Sequence, residues 1–279
     1  MNEMNKVCII GIGLIGGSIG IDIKTRKLAR QVVGLVRRRE TIDQSLQKEA
    51  VDSAVLDMET GVKDADLVIL AMPISVMPQI ARLVRKYIKK DTIVIDIASV
   101  KGELVSDLEE ILGVNYVGTH PMAGSDKKGV MQARKGLFEG AVCIITPTAK
   151  TKPVFLKTVR DFWGRLGARV IIMSPAEHDI TVALASHLPH LLAACLVNTA
   201  ASQPQVLSCA GSGFRDTTRI AAGQPALWKD ILYWNRREIV DSIDKFEKEL
   251  AKMKSFLKAS RQEDIFNQLE KARKTRDSL

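Results

Sequence analysis

The segment Gly11-Ile12-Gly13-Leu14-Ile15-Gly16 is a G-x-G-x-x-G run that follows the apolar stretch Lys6 to Ile10 and opens a helical pattern. In that setting the spacing suits a dinucleotide. The first glycine permits the tight turn, the second lets the pyrophosphate approach the backbone, and the third allows close helix packing, with the helix N-terminus facing the negative charge. Gly11, Gly13, Leu14, Ile15 and Gly16 are therefore candidate cofactor contacts, joined by Ala71 and Pro73 at the end of the Leu67 to Ala71 run. A site that prefers NAD usually carries a carboxylate at the end of the second strand, where it accepts hydrogen bonds from ribose hydroxyls. Here the second run ends Val36-Arg37-Arg38-Arg39. An arginine fork suits a 2′-phosphate instead, so Arg37 and Arg38 point to NADP, with NAD as the alternative.

Two further segments, Asp96-Ile97-Ala98-Ser99-Val100-Lys101 and Gly118-Thr119-His120-Pro121-Met122-Ala123-Gly124-Ser125, each follow a strand-like run. Both fall at the carboxyl edge of the sheet, where doubly wound folds bind ligands. Imidazole titrates near neutrality, so His120 there can take a proton from an alcohol whose hydride is leaving, with Ser99 as its partner from a neighbouring strand end. Ser99 is also placed to cap the helix that begins near Val100, which is compatible with catalysis. His187 and His190, in Ser186-His187-Leu188-Pro189-His190, would share a face of a continuous helix, but Pro189 disturbs that geometry. A histidine on such an apolar helix is often a satisfied core residue, and the residues alone leave both roles open.

These groups need a sheet to position them. Short β-branched runs at Lys6 to Ile10, Gln31 to Val36, Leu67 to Ala71, Thr92 to Ile97, Asn115 to Gly118, Ala141 to Thr146 and Arg169 to Met173 alternate with helical segments. That alternation predicts an α/β, Rossmann-type, doubly wound and mostly parallel sheet covered on both faces. After Ser174-Pro175 the character changes to helix, first Ala176 to Ala201 and later Trp228 to Leu257, with apolar residues at helical spacing. The expected division is a dinucleotide-binding domain over 1–173 and an all-helical domain over 174–279. The helical part has more apolar faces than a small isolated bundle buries, so a homodimer through these helices is expected.

Composition narrows the classes further. With 279 residues and 46% hydrophobic content the chain can build sizeable cores. The formal charge of +9 is spread through both halves and densest on C-terminal segments laced with acids, which reads as solvated helix faces rather than a nucleic-acid surface. A modest positive field also draws in anionic small molecules. The N-terminal VCIIGIGLIGG reads as strand and turn, not a signal peptide, and no uninterrupted apolar run approaches the roughly 18 to 20 residues of a membrane span. Cys8, Cys143, Cys195 and Cys209 lack C-x-x-C spacing and mostly sit in apolar runs, so buried free thiols in a reducing cytoplasm are expected rather than disulfides or a metal site.

The segments GIGLIGGS, DIASVK, THPMAGS, SHLPH and GFRDTTRIA, in this order, resemble the motifs of the prephenate and arogenate (cyclohexadienyl) dehydrogenases, over Val7 to about Trp228. The resemblance implies oxidative decarboxylation of arogenate or prephenate in tyrosine biosynthesis, with hydride loss from the ring carbon bearing the hydroxyl. It implies that His120 accepts the hydroxyl proton, that Ser99 orients His120, the hydroxyl and the nicotinamide, and that Arg219 binds a substrate carboxylate in competition with Arg215. It places His190 and His187 near the substrate, His190 closer to its side chain, and His178 at the domain junction. Asp126, on the loop after His120, is the candidate partner for an arogenate ammonium. Neither a fused chorismate mutase nor a regulatory domain after Leu279 is expected. The competing readings are an NADP enzyme like β-hydroxyacid dehydrogenases or imine reductases, and a non-catalytic NADP-binding sensor; neither predicts the pairing of HPMAGS with GFRDTTR.

Overall fold

The structure, a computed structural model, describes residues 3–124 and 127–278. Among these, the strands β1 (Met4–Ile10), β2 (Ala29–Leu35), β3 (Ser53–Val55), β4 (Leu67–Leu70), β5 (Ile93–Asp96), β6 (Tyr116–Pro121), β7 (Val142–Thr146) and β8 (Arg169–Ile172) form one sheet of order β3-β2-β1-β4-β5-β6-β7-β8. Neighbours are parallel except β6 and β7, which run antiparallel with His120 opposite Ile144. Strand β3 has no counterpart among the runs read from the sequence, because three half-buried residues at an edge make no periodic signal.

The central strands are apolar throughout because both faces are covered. Val7 and Ile9 of β1 pack with Ile19 and Ile23 of α1 (Leu14–Thr25) and with Phe162 and Trp163, whereas Cys8 and Ile10 face Met77, Val84, Leu104 and Leu108. The strand period of two thus sends alternate residues into two cores. Helices α1, α2 (Arg39–Gln47) and α6 (Pro153–Arg165) cover the first face, and α3 (Met58–Val62), α4 (Met77–Arg85) and α5 (Gly102–Leu112) the second.

Beyond β8 the described chain is helical: α7 (Pro175–Val182), α8 (Leu188–Ala201), α9 (Pro204–Ser208), α10 (Ser212–Thr218), α11 (Pro225–Trp234), α12 (Arg236–Lys258) and α13 (Gln262–Asp277). Ser174 starts α7 with a reciprocal cap: Glu177 N–H donates to Ser174 Oγ at 3.2 Å, and Ser174 N–H donates to Glu177 Oε2 at 2.8 Å. Between α7 and α8 lies a π-helical turn, Ala183–His187. Pro189 has no N–H for the carbonyl of Ala185 and its ring crowds that carbonyl, and the wider turn absorbs the misfit without ending the helix. Ile231 of α11 packs into the second core, so the helical part sits directly on the sheet part.

Two expectations change. The helical stretch Pro175–Ala201, continuous through Pro189, is long and apolar enough by length and composition to cross a membrane, which a search for uninterrupted apolar runs does not find; 33% of its most apolar part is buried, and His178, Asp179, His187 and His190 along it are buried against the rest of the chain. Of the cysteines, Cys8 and Cys143 are buried free thiols, but Cys195, on α8, and Cys209, just past the end of α9, are exposed. Leu196, Val240, Leu250, Leu257, Phe266 and Leu269 of the helical part are exposed as well.

Candidate active site

The glycine loop leaves β1 through Gly11, whose φ of +98° is a left-handed conformation; a Cβ there would lie 2.3 Å from the Ala71 carbonyl oxygen. At Gly16 a Cβ would stand 2.2 Å from the Gly11 oxygen, while at Gly13 it would meet nothing within 4 Å. The loop is therefore closed behind and open in front. The first turn of α1, with Leu14 and Ile15, has no acidic residue and no side-chain cap, so its backbone N–H groups are free for an anion. These residues fit a dinucleotide pyrophosphate. Ala71 lies against both Gly11 and Gly16, and Pro73 is exposed just before the turn Ile74–Val76. Arg37 and Arg38 are exposed past the end of β2, Arg38 at the N-cap of α2, and neither joins an ion pair among the described residues.

At the end of β5, Asp96 and Lys101 form an ion pair of 2.6 Å, both side chains at 0% exposure. Asp96 Oδ1 accepts from the Tyr116 hydroxyl at 2.8 Å and the Thr119 N–H at 3.1 Å, and its Oδ2 accepts from the Ala98 N–H at 2.9 Å as well as from Lys101. The Lys101 ammonium also donates to the carbonyls of Ala98 at 2.8 Å and Val100 at 3.3 Å. Every donor of the ammonium is used, which is the condition under which a dry ion pair is tolerated. Burial, with the Asp96 charge second, drives the Tyr116 phenol well above its usual pKa, so it acts as a donor.

All four histidines of the chain are buried around this edge. His120, at the end of β6, sets Nδ1 2.8 Å from His178 Nε2, and His178 Nδ1 lies 2.7 Å from Asp179 Oδ1. The Asp179 carboxylate also accepts the Lys101 and Gly102 N–H groups, each at 2.7 Å, and so caps α5. That is the cap the sequence offered to Ser99, whose half-buried hydroxyl makes no hydrogen bond among the described residues and faces no competing helix end. Asn235 Nδ2 donates to the Asp179 backbone carbonyl at 2.9 Å and lies 3.0 Å from His187 Nδ1. His190 stacks on Trp228 at 3.5 Å and 8°, and His187 meets the same ring edge-on. Gly223 allows that stack, since a Cβ would stand 2.5 Å from Trp228 Nε1 and 2.8 Å from His190 Cε1. Among the described residues His190 Nδ1 is buried without a hydrogen-bond partner, whereas the Ser99 backbone carbonyl stands close enough to His187 to raise its pKa against the effect of burial.

Burial sets the protonation of this cluster. It holds His120 well below 6.5, helped by the His178 ring and the Lys101 ammonium, and it lowers His187 to about 4; burial also lowers His178 and His190. Near neutral pH the edge thus presents neutral imidazoles, able to accept or donate one proton each.

The structure brings Ser99, His120, His187 and His190 to one edge, with the π-turn and Pro189 placing both helix histidines against Trp228. Arg215 and Arg219 are both exposed; Arg219 opens the turn Arg219–Ala222 that leads into Gly223 and the stack. Asp126 lies outside the described residues. Lys101, His178 beside His120, Asp179, Trp228 and Asn235 are participants that sequence reading did not single out for the site, although Lys101 and Asp179 stand within segments already noted for other residues.

Residues 19–172 match the family described as "Prephenate dehydrogenase, nucleotide-binding domain", and residues 174–271 match "Prephenate dehydrogenase, dimerization domain". The chain belongs to the prephenate dehydrogenase family. It is 35% identical to the prephenate dehydrogenase of Bacillus subtilis, over 100% of this chain and 77% of the relative, and 30% identical to the cyclohexadienyl dehydrogenase of Zymomonas mobilis, over 100% and 97%. Among solved structures it is similar to prephenate dehydrogenase from A. aeolicus in complex with hydroxyphenyl propionate and NAD+, with TM-score 0.93, 34% identity and coverage of 99% of this chain and 98% of that one. Synechocystis arogenate dehydrogenase matches with TM-score 0.87 and 28% identity, over 98% and 99% of the two chains. Family membership sets aside the β-hydroxyacid dehydrogenase, imine reductase and sensor readings.

The buried ion pair generates a prediction. Replacing Lys101 by Met leaves Asp96 charged and unpaired in a dry site, and breaking such a pair costs about 3 to 5 kcal/mol. Chemical denaturation of Lys101→Met is expected to show a loss of that size; a loss under about 1 kcal/mol, the range of exposed pairs, would show that the pair is not structural.

Proposed function

We propose that this chain, a dehydrogenase of tyrosine biosynthesis by family, oxidises a cyclohexadienyl acid at the ring carbon bearing its hydroxyl and releases the ring carboxylate as CO2, taking arogenate, prephenate or both. The observation that carries this reading is the buried His120 at the same sheet edge as the glycine loop, its pKa held well below 6.5 by burial, with His187 and His190 buried near it. The A. aeolicus relative, which holds hydroxyphenyl propionate and NAD+ together, supports it.

In this proposal a bound oxidised nicotinamide dinucleotide supplies the hydride acceptor. Gly11, Gly13, Leu14, Ile15 and Gly16 hold its pyrophosphate, and Ala71 and Pro73 line the path from there toward the site. His120 accepts the hydroxyl proton through Nε2, and the Ser99 hydroxyl orients that proton and the ring. Arg219 binds a carboxylate by charge-assisted hydrogen bonds, and His190 and His187 stand toward the substrate side chain, His190 the closer. Loss of CO2 makes the ring aromatic, so the residues have two tasks: alignment and the handling of one proton. Arg37 and Arg38, exposed beyond β2 and without ion pairs among the described residues, favour NADP over NAD. The dinucleotide-binding domain is taken to end at 173 and the helical domain to begin at 174, with two chains joined in a homodimer through the open faces of the C-terminal helices; the buried free thiols Cys8 and Cys143 suit the cytoplasm.

The test is parallel assay of purified protein on prephenate and arogenate, each with NAD and NADP. His120→Asn is expected to keep the fold and cofactor affinity while kcat falls by about 10² to 10⁴, the usual range for loss of a general base. Near wild-type turnover with either substrate would overturn the assignment of His120.

Cofactor choice is tested separately by Arg37→Asp combined with Arg38→Ala. The ratio of kcat/KM with NADP to that with NAD is expected to fall by at least about tenfold, since a charge-assisted hydrogen bond contributes roughly 1.5 to 3 kcal/mol. An unchanged ratio removes the arginines from cofactor selection.

A further inference from the structure

An imidazole accepts a proton only through a bare nitrogen, and one ring nitrogen of His120 is already engaged with His178. Which of the two carries hydrogen follows from the far end of the chain. Asp179 receives the Lys101 N–H on Oδ1 and the Gly102 N–H on Oδ2, so both of its oxygens act as acceptors. At 2.7 Å from Oδ1, His178 Nδ1 must be the donor, because a bare nitrogen there would set lone pair against lone pair. A neutral His178 then has a bare Nε2, and at 2.8 Å from it His120 Nδ1 must carry the hydrogen. His120 Nε2 is left bare.

We propose that His178 and Asp179 are positioning residues that fix His120 as its Nδ1–H tautomer and share the proton it takes from the substrate hydroxyl. This rests on the reading of His120 as the base. In the step, the hydroxyl O–H bond breaks as a bond to His120 Nε2 forms, and the Nδ1 proton of His120 shifts toward His178 Nε2. His178 then carries the positive charge against the Asp179 carboxylate, which takes no proton. The hydride leaves with its electron pair for the oxidised nicotinamide, and the electron pair of the bond to the departing CO2 enters the ring. The phenolate oxygen so formed recovers the proton by the reverse path. The relay is thus a store for one proton and consumes none.

The surroundings leave the relay as the sole ordered outlet among the described residues. From β5 and the turn before α5, the Lys101 ammonium is a fixed cation already held by Asp96 and two carbonyls, and it opposes charge on both rings. From the π-turn, His187 is held through Nδ1 by Asn235 of α12, and its pKa of about 4 keeps it neutral. Among the described residues Asp179 is the carboxylate hydrogen-bonded to the histidine pair, since Asp96 is committed to Lys101, Tyr116, Thr119 and Ala98.

The experiment is long-range ¹H–¹⁵N correlation spectroscopy of the histidine rings in the full-length protein near neutral pH, with kinetics of His178 variants. With four histidines in the chain, assignment by single substitution is direct. His120 and His178 are both expected as Nδ1–H tautomers with bare Nε2; His120 carrying hydrogen on Nε2 would overturn the proposal without reference to activity. His178→Phe is expected to erase the single-tautomer signature of His120 and to lower kcat roughly 10- to 100-fold, as loss of an orienting partner does for metal-bound histidines, with KM and cofactor affinity little changed. His178→Gln, whose amide oxygen can accept from Nδ1, is expected to restore the signature. An unchanged His120 signal and unchanged kcat in His178→Phe contradict the proposal. Should that variant not fold, the wild-type spectrum still decides. Full turnover by His120→Asn beside an Nδ1–H spectrum would sink the base assignment while leaving the tautomer intact.

Discussion

The ion pair between Asp96 and Lys101 is the interaction on which the site depends. Two charges at 0% exposure are tolerable only with complete hydrogen bonding, and meeting that requirement fastens separate parts of the chain together. Asp96 ties the end of β5 to Tyr116 and Thr119 of β6, and so fixes the strand that ends in His120. The Lys101 ammonium folds back on the Ala98 and Val100 carbonyls, which shapes the turn carrying Ser99. The backbone N–H of the same lysine reaches Asp179 in the helical part, so one residue of the DIASVK segment joins the buried pair to the histidine relay.

Electrostatics and packing then act in one direction. A buried ammonium close to several buried imidazoles favours the neutral rings, and burial alone would do the same. A neutral imidazole that has one nitrogen held and one free is a prepared base, needing no reorganisation when a ligand arrives. The π-turn serves the same end: by absorbing the misfit at Pro189 it keeps α7 and α8 as one helical run, along which His178, His187 and His190 all turn inward. The opposite side of that run stays apolar and open, in a segment that matches a dimerisation domain.

What could be read from the sequence was what depends on neighbours in sequence. Gly11, Gly13 and Gly16 each do a local job, so their spacing was sufficient, and the central strands were legible because burial on both faces makes them apolar without a break. Ser99 could be placed because it comes soon after the apolar strand β5, and His120 because it stands at the carboxyl end of β6. The contacts that complete the site are long-range: His178 meets His120 across 58 positions, and Asn235 meets His187 across 48. No local pattern announces them. Asp179 was hidden because its carboxylate caps a helix that begins far earlier in the chain, at a position where Ser99 was the nearer candidate. The antiparallel step from β6 to β7 and the short β3 were likewise set by pairing, which composition does not encode.

The acid limb of kcat/KM reports the ionisation of the free enzyme's essential base and so tests His120 most directly. A base must be unprotonated to act, so activity falls as pH drops through its pKa. Because burial, the His178 ring and the Lys101 ammonium hold His120 well below 6.5, and because His120 and His178 titrate as a coupled pair, kcat/KM is predicted to remain flat through pH 6.5 and to fall only at clearly lower pH. An acid limb with an apparent pKa at or above 6.5, in a protein still folded and saturated with cofactor, would contradict a buried neutral His120 as the acceptor of the hydroxyl proton.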